Sequence, residues 1–225
     1  MEVRAKHIAA IVSDYEAMCQ EVLEQYTRVM GFLSATDATE RLQAVQHHER
    51  IIDGMEVKLH NDIMRAIVLY NPRATDSRLI ISYYDMAGNL ERVGDQLLNV
   101  ADYLVNTDTA SRVFLTLREP LGTQFEQVHS MLSTSIFAFN CGEVSTAREV
   151  LQEDNAIDGL HTKMVQLLPE ALLEATPTLA EVQATLNLHG LSYCLERIGD
   201  HAANIAEATI YTYEGVFAKH NPIKS

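Results

Sequence analysis

The sequence predicts an all-α fold of two tandem three-helix bundles related by internal duplication, and three observations carry that expectation. Apolar residues recur at three- and four-residue steps along nearly the whole chain, as in Leu42, Val45, Ile52, Leu59, Ile63 and Ala66, and later Tyr83, Ala87, Leu90, Leu97, Ala101 and Leu104. That is the period of an amphipathic helix. Five prolines, ten glycines and no tryptophan supply little of the turn chemistry that sheets require. Third, the string Leu90, Glu91, Arg92, Val93, Gly94, Asp95 returns 105 residues later as Leu195, Glu196, Arg197, Ile198, Gly199, Asp200.

The same offset, without a gap, carries Ile52, Asp53 and Gly54 onto Ile157, Asp158 and Gly159, Lys58 onto Lys163, Pro72 onto Pro177, Asn99 onto Asn204 and Ala101 onto Ala206. Ungapped agreement concentrated in acids and glycines marks a duplicated unit with a duplicated site. Two copies fit comfortably in 225 residues, so 1–108 is read as the first three-helix repeat and 109–225 as the second. Breaks rich in small polar residues, Pro or Gly separate helices expected at 4–34, 37–70, 76–106, 111–140, 144–175 and 178–213. Asp76 and Glu181 align and suit the N-termini of the third and sixth helices. Pro169, where the first copy has Met64, is expected to kink or split the fifth.

Seventeen Lys and Arg against 31 Asp and Glu leave a net charge of −14. Such a chain repels nucleic-acid phosphates and anionic bilayers, so no nucleic acid is expected as a partner; cations and basic protein surfaces suit it better. Cys19, Cys141 and Cys194 share no ligand spacing and do not correspond across the repeat, and they read as reduced core thiols of a cytoplasmic protein. Met1 to Ala10 lacks an apolar leader region, and no later stretch is apolar enough to insert in a membrane.

The acids carry the chemistry. Glu49 with Asp53 and Glu91 with Asp95 are each four apart, and the offset carries them onto Asp154 with Asp158 and Glu196 with Asp200. Residues at i and i+4 lie one turn apart on one helix face, so each pair presents two carboxylates side by side. On the third helix Leu90, Leu97 and Ala101 define the apolar stripe and Glu91, Asp95 and Asp102 flank it; on the second, Glu49 and Asp53 edge the stripe of Ile52, Leu59 and Ile63. Packing the stripes together would line each bundle's seam with four acids. Arg92 and Arg197 follow the acids by one residue and should point about 100° away, so a bound metal is the expected counter-charge. All-oxygen ligation suits Mg²⁺, Ca²⁺, Mn²⁺ or iron, with Zn²⁺ or Ni²⁺ as alternatives. Gly94 and Gly199 each cost a helix interior about 1 kcal/mol relative to alanine, and close helix approach is the expected reason.

The repeated Glu-Arg-aliphatic-Gly-Asp string, followed by Asn99 and Asn204, resembles the hallmark of the PhoU family of phosphate-transport regulators. Further similarities are Pro72, Ala74, Asp76 and Arg78 before the third helix, and Tyr211, Glu214, Gly215 and His220 at the close; the second copy departs with Glu181 and Gln183 at the places of Asp76 and Arg78. The resemblance implies that Glu49, Asp53, Glu91 and Asp95 bind one metal centre and Asp154, Asp158, Glu196 and Asp200 a second, iron centres in some members. It also implies a non-enzymatic, cytoplasmic negative regulator of phosphate uptake and starvation signalling, a homodimer that binds the nucleotide-binding subunit of the phosphate ABC transporter and the sensor histidine kinase.

The rival is a carboxylate-bridged di-iron helical-bundle oxidoreductase. Glu126 with His129 and Asp158 with His161 have the required spacing, yet the aligned residues are Glu21 with Glu24 and Asp53 with Glu56, so nitrogen ligands are not part of the duplicated plan. His47, His48, His60, His189 and His201 read as satisfied or surface imidazoles. A third reading makes the acids a docking face for basic loops.

Overall fold

The computed structural model describes residues 2–34, 38–71, 75–173 and 176–216, and every regular element among them is helical. Helix α1 spans Glu2–Met30 and tightens into a 3-10 turn at Gly31–Ser34; α2 spans Ala38–Tyr70, α3 Thr75–Val105, α4 Arg112–Cys141, α5 Val144–Leu173 and α6 Leu179–Glu214. These bounds agree with the sequence-based expectation to within a few residues. The family-like positions Pro72, Ala74 and His220, and the side chain of Asp76, lie outside the described residues.

Local chemistry explains the helix ends. Ser111 sits in extended backbone before α4 and its hydroxyl accepts from the Phe114 amide, while Gly142, at φ 71°, ends that helix in the left-handed conformation that costs glycine little. Helix α6 opens with a complete capping box: the Thr178 hydroxyl accepts from the Glu181 amide, and the Glu181 carboxylate accepts from the Thr178 amide. Arg112 then reaches 3.2 Å to Glu181 and donates to the Leu172 carbonyl at 3.2 Å, tying the end of α5 to the start of α6.

Of the two outcomes expected at Pro169, a kink or a split, the split does not occur: the helix runs on to Leu173, as α4 runs past Pro120. Proline removes one ladder hydrogen bond. Met164, Leu168 and Ala171 on the flanking turns stay buried and hold the segment against the core. Cys19 and Cys194 are buried, which pushes their thiols up to about 12 and about 11, but Cys141 is exposed at the last turn of α4 and is not the core thiol expected.

Buried apolar side chains from all six helices form one contiguous cluster. Helix α2 packs on α3 and α5 on α6, and an extensive interface joins α3 to α6, the last helix of each copy. Further polar ties cross the bundles: Tyr26 donates its hydroxyl to the Phe125 carbonyl at 2.9 Å, and Ser82 pairs with Thr212 at 2.5 Å. Among the described residues no helix is long and apolar enough to cross a membrane.

Candidate metal centres

Both hairpin seams are set by a glycine beneath an isoleucine. A Cβ on Gly94 would meet Ile52 at 3.3 Å, and one on Gly199 would meet Ile157 at 2.9 Å, so the bare helix surface is what admits the facing side chain. Ile52 and Ile157 are themselves equivalent across the repeat. Close approach is therefore the structural role of the duplicated glycines, and it draws together the acids that flank the two stripes.

Three carboxylates converge in each seam. Ligand atoms of Glu49, Asp53 and Asp95 lie within 4.8 Å of one another, as do those of Asp158, Glu196 and Asp200. The other two sequence candidates stand beside these groups. Glu91 lies in the field of Asp95, Glu56 and Asp53, and Asp154 in that of Asp158, Asp200 and Glu207. Asp154 occupies the position of Glu49 with one methylene less reach.

The electrostatics follow from crowding at the edge of the core. Burial pushes the Glu91 carboxyl up to about 7, helped by Asp95, Glu56 and Asp53 and opposed by Arg92. Burial, Asp53 one turn along α2 and the facing Asp95 raise Glu49; burial and Asp53 raise Asp95. In the second seam burial, then Asp200 and Asp158, raise Glu196, and burial with Asp158, Asp200 and Glu207 raises Asp154. Like charges at this range oppose ionisation. A cation would reverse that.

The donor sets fit a metal. Both are all-oxygen, which suits hard or borderline cations, and Glu196 Oε2 is buried without a hydrogen-bond partner among the described residues. An orphaned carboxylate oxygen beside two further acids is a donor available to a cation.

One expectation fails here. Arg197 does not point away from the acids but donates from Nη1 to Asp200 Oδ2 at 2.7 Å, because its long side chain reaches forward one turn. The equivalent Arg92 makes no such pair. Sequence reasoning also passed over Glu56, which continues the series Glu49, Asp53 on the same helix face; His161 replaces it in the second copy, and a search for duplicated acids misses it.

The described histidines lie outside both carboxylate groups. His161 faces Ser192 at 3.0 Å, and the Ser192 hydroxyl donates to Gln124. His129 packs its ring on Tyr26 at 5.0 Å. His48 pairs with Glu21, and His60 lies against Tyr84, its Nε2 3.0 Å from the Tyr84 carbonyl. His201 is the satisfied kind: buried between α3 and α6, it donates to Asn89 Oδ1 at 3.1 Å, and burial lowers its pKa to about 4.

A family model described as the PhoU domain matches residues 15–104 and again 123–209, once in each copy. A relative from Burkholderia sp, a phosphate-specific transport system accessory protein PhoU homolog, is 27% identical over 224 residues, covering 96% of this chain and 94% of the relative. One of the same description from Pseudomonas aeruginosa is 31% identical over 181 residues, 79% of this chain and 72% of its own. The crystal structure of PhoU from Pseudomonas aeruginosa superposes with a TM-score of 0.83 at 27% identity, covering 94% of this chain and 99% of that one. The regulatory protein PhoU from Streptococcus pneumoniae, at 21% identity, shares the fold with a TM-score of 0.83 over 95% and 98% of the two chains.

Proposed function

The chain belongs to the PhoU family, and on that premise we propose that it is a cytoplasmic negative regulator of phosphate uptake and phosphate-starvation signalling, and not an enzyme. It binds the nucleotide-binding subunit of the phosphate ABC transporter and the sensor histidine kinase, and it works as a homodimer. The observation that carries this reading is the family match in both copies; the relatives' description as accessory proteins of phosphate-specific transport supports it. The acidic surface, with a net charge of −14, suits basic faces on protein partners.

The metal part of the proposal rests on the two convergent carboxylate groups. Glu49, Asp53 and Asp95, with Glu91 beside them, would hold one cation, and Asp158, Glu196 and Asp200, with Asp154 beside them, the other: iron or another divalent ion such as Mg²⁺, Mn²⁺, Zn²⁺ or Ni²⁺. A bound cation supplies charge neutralisation and a link between helices. The protein's part is to keep α2 on α3 and α5 on α6 at the spacing set by Gly94 and Gly199, so that the docking face is rigid.

Deletion of the gene is expected to derepress phosphate-starvation genes in high phosphate, read with a transcriptional reporter. Full repression in the deletion strain would remove the regulatory role. Elemental analysis of protein purified without chelator tests the metal half separately: metal content unchanged by Asp53→Ala with Asp158→Ala would remove it.

A further inference from the structure

The duplication relates α3 to α6, so each groove along their interface has a counterpart on the other side. On one side the groove is filled: a Cβ on Gly190 would meet the Tyr103 ring at 2.5 Å and its hydroxyl at 2.7 Å, so the ring lies directly on the α6 backbone. On the other side the equivalent pair is Asp85 and Ala208. Ala208 has no ring to offer, and a cleft of about 700 Å³ stands open between α2, α3 and α6. That volume is in the ordinary range for a ligand site.

The chemistry of the open cleft is one-sided. Glu56, Asp85 and Glu207 line it with carboxylates that accept no hydrogen bond among the described residues. Among the described residues Arg92 is the single arginine in the lining, and His60 Nδ1 stands 3.8 Å from a Glu56 oxygen. Three of the neutral polar side chains are already engaged: Asn89 accepts from His201 and from Asn204 and donates to the Asp85 carbonyl, and Ser82 pairs with Thr212. Acceptors are therefore in surplus, which suits a donor-rich cation. On the wall, His60 and Tyr84 stack at 3.8 Å and 16°, presenting an aromatic surface beside the acids. The filled side has His161, Gly190 and Asp102 where the open side has Glu56, Asp85 and Glu207, so the charge and the opening belong together.

We propose that this cleft receives an arginine side chain presented by a protein partner. A planar guanidinium both forks onto carboxylates and stacks on aromatic rings, which an ammonium does less well. The proposal deepens the regulatory reading by naming the chemistry of one contact, and it does not depend on the metal centres.

The test titrates the full chain with glycyl-arginyl-glycine amide, followed by isothermal calorimetry and by NMR of the Asn89 and Asn204 side-chain amides. Saturable binding is expected, with the lysine counterpart and spermidine weaker. Ala208→Tyr, which copies the Tyr103 plug, should weaken the arginine peptide about tenfold or more. Asp85→Asn with Glu207→Gln, which keeps the shape and removes charge, should do the same while circular dichroism and melting stay unchanged. No saturable binding, equal response to spermidine, or affinity indifferent to both variants overturns the proposal. So does a strain carrying Ala208→Tyr that still represses phosphate-starvation genes while the deletion strain does not, a result that leaves the regulatory reading standing.

Discussion

In the seam between α2 and α3 the converging acids are Glu49, Asp53 and Asp95, whereas between α5 and α6 they are Asp158, Glu196 and Asp200. Only the two aspartates of each set correspond across the repeat. Among the described residues the first seam has no cation in contact with its acids, and the second carries Arg197 on Asp200. The first copy's α3 faces an open, acidic cleft, and the second copy's equivalent groove is filled by Tyr103. Duplication thus conserved the scaffold, a glycine under an isoleucine with aspartates beside it, and left the charge balance around it free to diverge.

The largest expected effect separates the two seams outright. Asp53→Ala with Asp95→Ala should abolish metal at the first centre and leave the second loaded, and Asp158→Ala with Asp200→Ala the converse, as measured by elemental analysis. In calorimetric titration of metal-free wild type, the first centre should fill more tightly, because a cation entering the second must displace Arg197 from Asp200. Arg197→Ala should bring the two affinities together. Equal affinities in the wild type would show that the arginine pair is no obstacle.

Next comes the spacing. Gly199→Ala places a methyl group 2.9 Å from Ile157 Cγ2, a buried branched atom with little room to yield. Overpacking of that kind costs about 1–3 kcal/mol, against about 1 kcal/mol gained in helix propensity, so a net loss of about 1 kcal/mol is expected in denaturant melts. Gly94→Ala meets its nearest neighbour at 3.3 Å and should be close to neutral. Moving the branch off the β carbon, as Gly199→Ala with Ile157→Leu, removes Cγ2 at nearly constant volume and should recover part of the loss. The reverse ranking would mean that the second seam has more slack than its geometry shows.

How much of this was legible beforehand depended on whether a feature was periodic or repeated. The six helices follow from apolar spacing and from breaks such as Ser111, Gly142 and Thr178, whose capping chemistry is local. The acids and the two glycines stood out because they occur twice. Glu56 and the Asp85–Ala208 cleft do not repeat, and their meaning appears only when α3 and α6 are laid together. The reach of Arg197 was misjudged because residue direction at the backbone does not fix where a long flexible side chain ends. The continuity of α5 across Pro169 depends on core contacts that no local rule contains.

A pH series sharpens the comparison further. Glu91 titrates near 7 in the folded chain against an ordinary 4.5, so the folded state holds an extra proton between those values. The stability that proton confers is lost as pH rises through about 7. His201, lowered to about 4 from 6.5, acts with the opposite sign as pH passes through 6.5, and His129 and His161, also lowered by burial, act in the same direction as His201. The carboxyl effect is therefore read between pH 6.5 and 8 as the difference between metal-free wild type and Glu91→Gln, with the wild type losing more of its melting temperature by pH 8. Glu91→Gln should flatten the profile in that interval, and saturating divalent metal should flatten it too. A profile already flat in metal-free wild type would place Glu91 in a less crowded setting than the first seam provides.

The smallest difference lies in the arginines themselves. Arg197 and Asp200 are three residues apart on α6, with side chains 42% and 34% exposed, and a pair so open to water contributes about 0–1 kcal/mol. In a chain of this length a change of about 1 kcal/mol moves the melting temperature by about 2–4 °C. Removing metal and comparing Arg197→Ala with Arg92→Ala at low salt should therefore lower the melt by at most a few degrees for the first and leave the second within error. Raising the ionic strength should erase the gap, since exposed charges are screened over about 10 Å at 0.1 M. A gap that survives high salt would mean that Arg197 supports the seam through packing of its aliphatic stem, and the asymmetry between the two centres would then be one of shape as well as charge.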